Sequence, residues 1–182
     1  SRGIGRACAI ALAQHGAEIV AAARDTDRLE KLTRELPAGE DRQHTSISVD
    51  FSDRQALNDA LRDATVRGSI EIVVNNSGGP AAGSAIDADP PAFEDAFRQH
   101  LIADQIILQK LLPGMKAAAY GRVINIISTS VKEPIPGLGV SNVIRGAVAS
   151  WAKTLAGELG PFGITVNNVL PGFTATERLD YI

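Results

Sequence analysis

A chain of 182 residues can bury one sizeable core, and nothing in its composition points to a second. Its 45% hydrophobic residues include few aromatics, and small aliphatics of this kind suit a parallel sheet sheathed by helices. A net charge of −3 with scattered Lys and Arg excludes a nucleic-acid face, the single Cys8 excludes an internal disulfide and fits a reducing cytoplasm, and no apolar run reaches the length of a membrane span.

Residues 1–16 carry Ile4, Cys8, Ala11 and Leu12 at helical spacing and end on Gly16, which predicts a helix with Cys8 on its packed side. Residues 18–23 are a short apolar run of strand type, and 26–36 a charged helix stopped by Pro37. The order repeats. Residues 43–49 alternate as a strand, Ser52 caps a helix reaching about Val66, and 70–74 form the next strand. A loop rich in Pro, Ala and Gly follows, then helical stretches over 91–100 and 101–119. A strand over 122–127, a long helix over 139–159 and a last strand over 164–170 complete the series. Strands alternating with helices of this length predict a single α/β domain of Rossmann type, a doubly wound parallel sheet in a three-layer sandwich.

In such a sheet a ligand sits beyond the carboxyl ends of the strands, so the residues just after each strand carry the chemistry. Ser1, Arg2, Gly3, Ile4 and Gly5 open a helix, where free backbone N–H groups and close-approaching glycines suit a pyrophosphate. Asp50 and Phe51 follow one strand; Asn75, Asn76, Ser77 and Gly78 follow another; Pro171, Gly172 and Thr176 follow the last. Plainer uses exist for some of them, with Asp50 capping the helix near Ser52 and Asn75 only tying strands together.

Taken together these segments resemble the short-chain dehydrogenase/reductase family over nearly the whole chain. The resemblance implies that the family's first strand and C-terminal end lie outside this sequence. It also implies that Ser1 to Gly5 hold the cofactor pyrophosphate, Asp50 the adenine and Thr176 the nicotinamide side, with Phe51, Asn76, Ser77, Gly78, Pro171 and Gly172 also binding the cofactor. Where a carboxylate would read the ribose hydroxyls this chain has Ala23 and then Arg24, and Arg2 adds a second guanidinium. That pair favours NADP(H) over NAD(H); the plainer use of Arg24 is an ion pair with Asp25 or Asp27.

The catalytic pattern departs from the family. Ser128 falls on the family serine, but Ser141 and Arg145 stand where the family has Tyr and Lys, and His100 stands for Asn. Ser128 is expected to polarise the substrate oxygen and Arg145 to hold the nicotinamide ribose, while the short Ser141 leaves room for water as the proton donor. Lys132 and Tyr181 are the nearest replacement donors in sequence, and Tyr120 lies at the wrong edge of the sheet. Residues 129–136, Ser141, Asn142 and 76–80 resemble a divergent subgroup of 3-oxoacyl-acyl-carrier-protein reductase-like members. The expected activity is an NADP(H)-dependent oxidoreductase of a small carbonyl or alcohol, in a homodimer or homotetramer built on the helices over 101–119 and 139–159, without metal, nucleic acid or membrane. The alternative is a nucleotide-binding sensor or assembly subunit without turnover. A hydrolase pairing Ser128 or Ser141 with His100 would need a Gly-x-Ser-x-Gly elbow, which neither serine has.

Overall fold

The computed structural model describes residues 1–37, 39, 42–66 and 68–177. Its elements run α1 (Gly3–Gln14), β1 (Val20–Ala23), α2 (Thr26–Glu35), β2 (Thr45–Ser48), α3 (Arg54–Val66), β3 (Ile72–Asn75), α4 (Pro90–Ala96), α5 (Ala103–Ala117), β4 (Gly121–Ile126), α6 (Gly139–Leu159) and β5 (Ile164–Val169). The strand and helix order is the one the sequence predicts. Every pairing is parallel, β1 with β2 and then β3 with β4 with β5.

Helices lie on both faces of the first piece. Ala21 of β1 and Ile19 just before it pack with Ala13 and Leu32 of the α1 and α2 layer, whereas Ile47 of β2 packs with Leu57, Leu61 and Ile106 of the α3 and α5 layer. Ala22, not Ala21, is in register with Ile47, so the alternation of side chains sends these two cores to opposite faces. In the second piece Val123 and Val166 stand side by side and are covered by Leu108, Leu111 and Met115 of α5 and Ala152 and Leu159 of α6. On its other face, Thr165, Asn167 and Val169 of β5 are exposed.

The sheet is in two pieces. A cleft of about 750 Å³ touches β1 and β3 along their length and is walled by Gly5, Cys8 and Leu12 of α1 on one side and by Asp104, Ile107 and Leu111 of α5 on the other. Cys8 is half-buried at this cleft. Among the described residues no helix is long and apolar enough to cross a membrane.

Two local details differ from the sequence reading. The cap of α3 is Asp53, whose Oδ1 accepts the N–H groups of Gln55 and Ala56, because Ser52 already donates its hydroxyl to Asp50. The helices expected over 91–100 and 101–119 form one helical run in which residues 97–102 make a π-turn between α4 and α5. The wider turn changes the phase of the side chains, and His100 sits within it.

Candidate functional site

At the carboxyl ends of β3, β4 and β5 a cleft of about 150 Å³ is lined by Ile4, Asn76, Ser77, Ser128, Ser141 and Arg145, with Pro171, Gly172 and Thr176 closing one side. Three elements fix this geometry. The strand ends are held in register by a ladder of amides: Asn75 Nδ2 donates to Asn125 Oδ1 at 2.9 Å, and Asn125 Nδ2 to Asn168 Oδ1 at 3.0 Å. Asn75 is thus a tie between strands, the plainer of its two expected uses, and Asn76 and Ser77 are delivered beyond it to the cleft.

The second element is α6. Val140, Ile144 and Val148 recur at every fourth position and are buried, Ile144 completely, and burying such a side chain stabilises by about 1.5–3 kcal/mol. That stripe sets the rotation of the helix, which turns Ser141 and Arg145, one turn apart, to the cleft. Its start is held by the loop before α4: Gly139 N–H donates to Gly83 O at 2.9 Å, and a Cβ on Gly139 would lie 2.3 Å from the Ala85 nitrogen. Only glycine allows this approach. Arg145 is buried, with Nη1 donating to Ile126 O at 3.3 Å, and Ser141 is buried beside it.

The third element is the turn after β4. Ser128 stands at its start with Oγ accepting the N–H of Ser130 at 3.0 Å, which leaves the hydroxyl proton available to a group in the cleft. Lys132 ends the same turn, exposed and away from the cleft lining, so it is not placed as a replacement donor. Tyr120 is exposed at the opposite edge, its ring 4.1 Å from the Arg122 guanidinium carbon. Tyr181 falls outside the described residues.

Close approaches connect this cleft to the start of α1. No side chain caps α1, and its glycines bring backbone close to the strand ends: a Cβ on Gly5 would meet Asn76 Nδ2 at 2.7 Å, and the space above Gly3 is roofed by the Thr176 methyl at 3.6 Å. This cradle fits a dinucleotide, whose pyrophosphate the first N–H groups of α1 would receive. Gly78 is exposed beside it. The Asp50 carboxyl is held below the ordinary range by hydrogen bonds from the Ser52 N–H and hydroxyl and by Arg24, whose Nη1 lies 3.9 Å away. Arg24 therefore faces Asp50 rather than Asp25 or Asp27. Phe51 packs its ring against the core around Val49 and Leu57, which leaves its backbone for a ligand.

Sequence reasoning passed over Arg28. It stands four residues after Arg24, its Nε 3.1 Å from Asp25, and with Arg2 it converges on Glu177, at 3.6 Å and 3.0 Å. The signal was present in the i, i+4 spacing of Arg24 and Arg28 at the head of a helix capped by Asp25.

Asp104 was also passed over. Loss of water raises its carboxyl well above the usual range, with Arg145 acting in the opposite direction. The unfolded carboxyl ionises near pH 3.9, so over the window from there up to the raised folded value the native state holds a proton the unfolded state has lost. Stability falls as pH rises through that window. Thermal melts should show this fall, and Asp104→Asn should flatten it; an equally steep fall in the variant would assign it to another group.

The model of the short chain dehydrogenase family matches residues 1–182. The NADPH-dependent reductase BacG of Bacillus subtilis is 28% identical over an alignment covering 98% of this chain and 70% of that protein. Trans-4-hydroxycyclohexanecarboxylate dehydrogenase of Sinomonas cyclohexanicum is 35% identical, with 97% and 70% covered. The structure of L-sorbose reductase from Gluconobacter frateurii, complexed with NADPH and L-sorbose, superposes with a TM-score of 0.91 at 28% identity over 97% of this chain and 68% of that one.

Proposed function

This chain belongs to the short-chain dehydrogenase family, an oxidoreductase that uses a nicotinamide cofactor, and we propose that it is an NADP(H)-dependent reductase of a small carbonyl compound or, in reverse, a dehydrogenase of the matching alcohol. The observation that carries this reading is the run of contacts from Arg2 and Arg28 through Glu177 to its neighbour Thr176, which lines the Ser128 and Arg145 cleft. It has the polarity of a phosphorylated dinucleotide with a substrate carbonyl at its far end.

When bound, the reduced nicotinamide supplies a hydride. Ser128 donates a hydrogen bond to the carbonyl oxygen, and the bond strengthens as that oxygen gains negative charge. Arg145 remains charged, binds the nicotinamide ribose and adds positive potential beside the developing alkoxide. Arg2, Arg24 and Arg28 receive the 2′-phosphate. Glu177 must leave Arg2 and Arg28 for this, but exposed ion pairs of this kind contribute at most about 1 kcal/mol, less than the roughly 1.5–3 kcal/mol of a hydrogen bond to a charged group.

A 3-oxoacyl thioester or similar β-keto compound is the substrate class in this reading, and a homodimer or homotetramer through α5 and α6 its assembly. BacG, named as NADPH-dependent, and L-sorbose reductase, solved in complex with NADPH, support the cofactor choice. The intact protein should oxidise NADPH in the presence of at least one member of a panel of simple ketones and β-keto esters. NADPH binding without turnover on any of them would favour a sensor or assembly subunit instead.

A further inference from the structure

Reduction needs a proton as well as a hydride, and the positions that the family resemblance assigns to a Tyr and Lys pair hold Ser141 and Arg145. Another pair, one member lining the cleft and the other behind it, is hydrogen-bonded. Ser77 Oγ lies 2.7 Å from His100 Nδ1, within the range for proton transfer. Ser77 lines the cleft shared with Ser128, whereas His100 is 1% exposed behind it. Both members are held by backbone. Ser77 stands two residues beyond Asn75, which is tied to Asn125, and His100 lies in the π-turn that ends where α5 begins.

We propose that Ser77 is the proton donor to the substrate oxygen, with the imidazole of His100 acting through it, in place of water. The proposal rests on the reductase reading above. A lone serine hydroxyl is a poor acid because losing its proton leaves an alkoxide. Hydrogen-bonded to an imidazolium it need not become one, since it can give one proton while taking another, so the proposal requires His100 to take up a second proton before hydride transfer, against the cost of burying that charge. As hydride from the reduced nicotinamide adds to the carbonyl carbon, the C=O π pair moves to oxygen. That oxygen takes the Ser77 hydroxyl proton, and Ser77 Oγ takes the Nδ1 proton of the His100 imidazolium, leaving a neutral imidazole protonated at Nε2. The balance is one ketone, one reduced cofactor and one proton giving one alcohol and one oxidised cofactor. Water entering the cleft returns the proton by the same route, and alcohol oxidation runs the path in reverse. Ser128 keeps its separate role of hydrogen-bond donor.

The test uses the intact protein, NADPH and whichever panel ketone turns over fastest. Ser77→Ala should lower kcat on the order of 100-fold, the scale of losing a positioned proton donor. NADPH affinity is measured alongside by fluorescence titration and kcat is taken at saturating NADPH, so that a lost proton donor is separated from weaker cofactor binding. His100→Gln should fall alike, Ser77→Thr, which keeps a hydroxyl, should recover a large part of the loss, and the solvent deuterium isotope effect of the unmodified protein should change in Ser77→Ala. A readout independent of turnover comes from 15N-histidine NMR of the cofactor-free protein: the His100 Nδ1 resonance should move in Ser77→Ala and hold its place in Ser77→Thr. A Ser77→Ala variant within about threefold of the unmodified kcat, far short of a lost proton donor, would overturn the proposal. So would an unmoved Nδ1 resonance. No turnover by the unmodified protein overturns this proposal and the reductase reading together, whereas turnover indifferent to Ser77 overturns this proposal alone.

Discussion

Replacing Ser128 with alanine is expected to lower kcat for ketone reduction by about 100- to 1000-fold, the cost of removing one positioned donor from a developing oxyanion, about 2.7–4 kcal/mol. The structure isolates this effect well. Ser128 Oγ spends its acceptor capacity on the Ser130 N–H, so the turn has one fewer bond without it, but among the described residues its hydroxyl proton is given to no other group. Loss of the cap should cost about 0.5–2 kcal/mol of stability and leave cofactor binding intact. Ser141→Ala, by contrast, should change kcat little, because Ser141 is buried beside Arg145 and has no assigned proton to give. Steady-state kinetics on both variants, with NADPH titrated separately, decides the matter. Full activity in Ser128→Ala would remove the proposed mechanism.

The second large effect concerns the cofactor. Arg24→Asp should weaken NADPH binding by roughly 10- to 100-fold, corresponding to the loss of a charge-assisted hydrogen bond worth about 1.5–3 kcal/mol. NADH binding should hold or tighten, because a carboxylate there accepts hydrogen bonds from the ribose hydroxyls and repels a 2′-phosphate. The new carboxylate would also face Asp50, which loses its guanidinium neighbour. Calorimetric titration with both cofactors measures the inversion. Unchanged selectivity would assign Arg24 to an ordinary surface ion pair with Asp50 and leave Arg2 and Arg28 as the phosphate's partners.

The order of strands and helices was legible because the elements carry local signals: the alternation around Thr45–Ser48, the apolar run ending at Ala23, the stop at Pro37. The α6 boundaries were legible to the residue, since Gly139 opens the helix and Leu159 closes it before Gly160 and Pro161. The cap of α3 was missed by one residue because both Ser52 and Asp53 have capping side chains, and only the competition for Asp50 separates them.

Sequence by itself determined the residue types gathered at the strand ends, because those positions follow from counting along alternating elements, whereas Ser141 and Arg145 stand out as departures only by resemblance to the family. Tertiary structure alone decided which of them meet. The bond between Ser77 and His100 joins residues 23 apart, and it depends on the phase set by a π-turn that no local period announces. The convergence of Arg2 and Arg28 on Glu177 spans most of the chain, and the identity of a partner across such a distance is a property of packing, since charge on one residue acts on whatever the fold brings within a few ångströms.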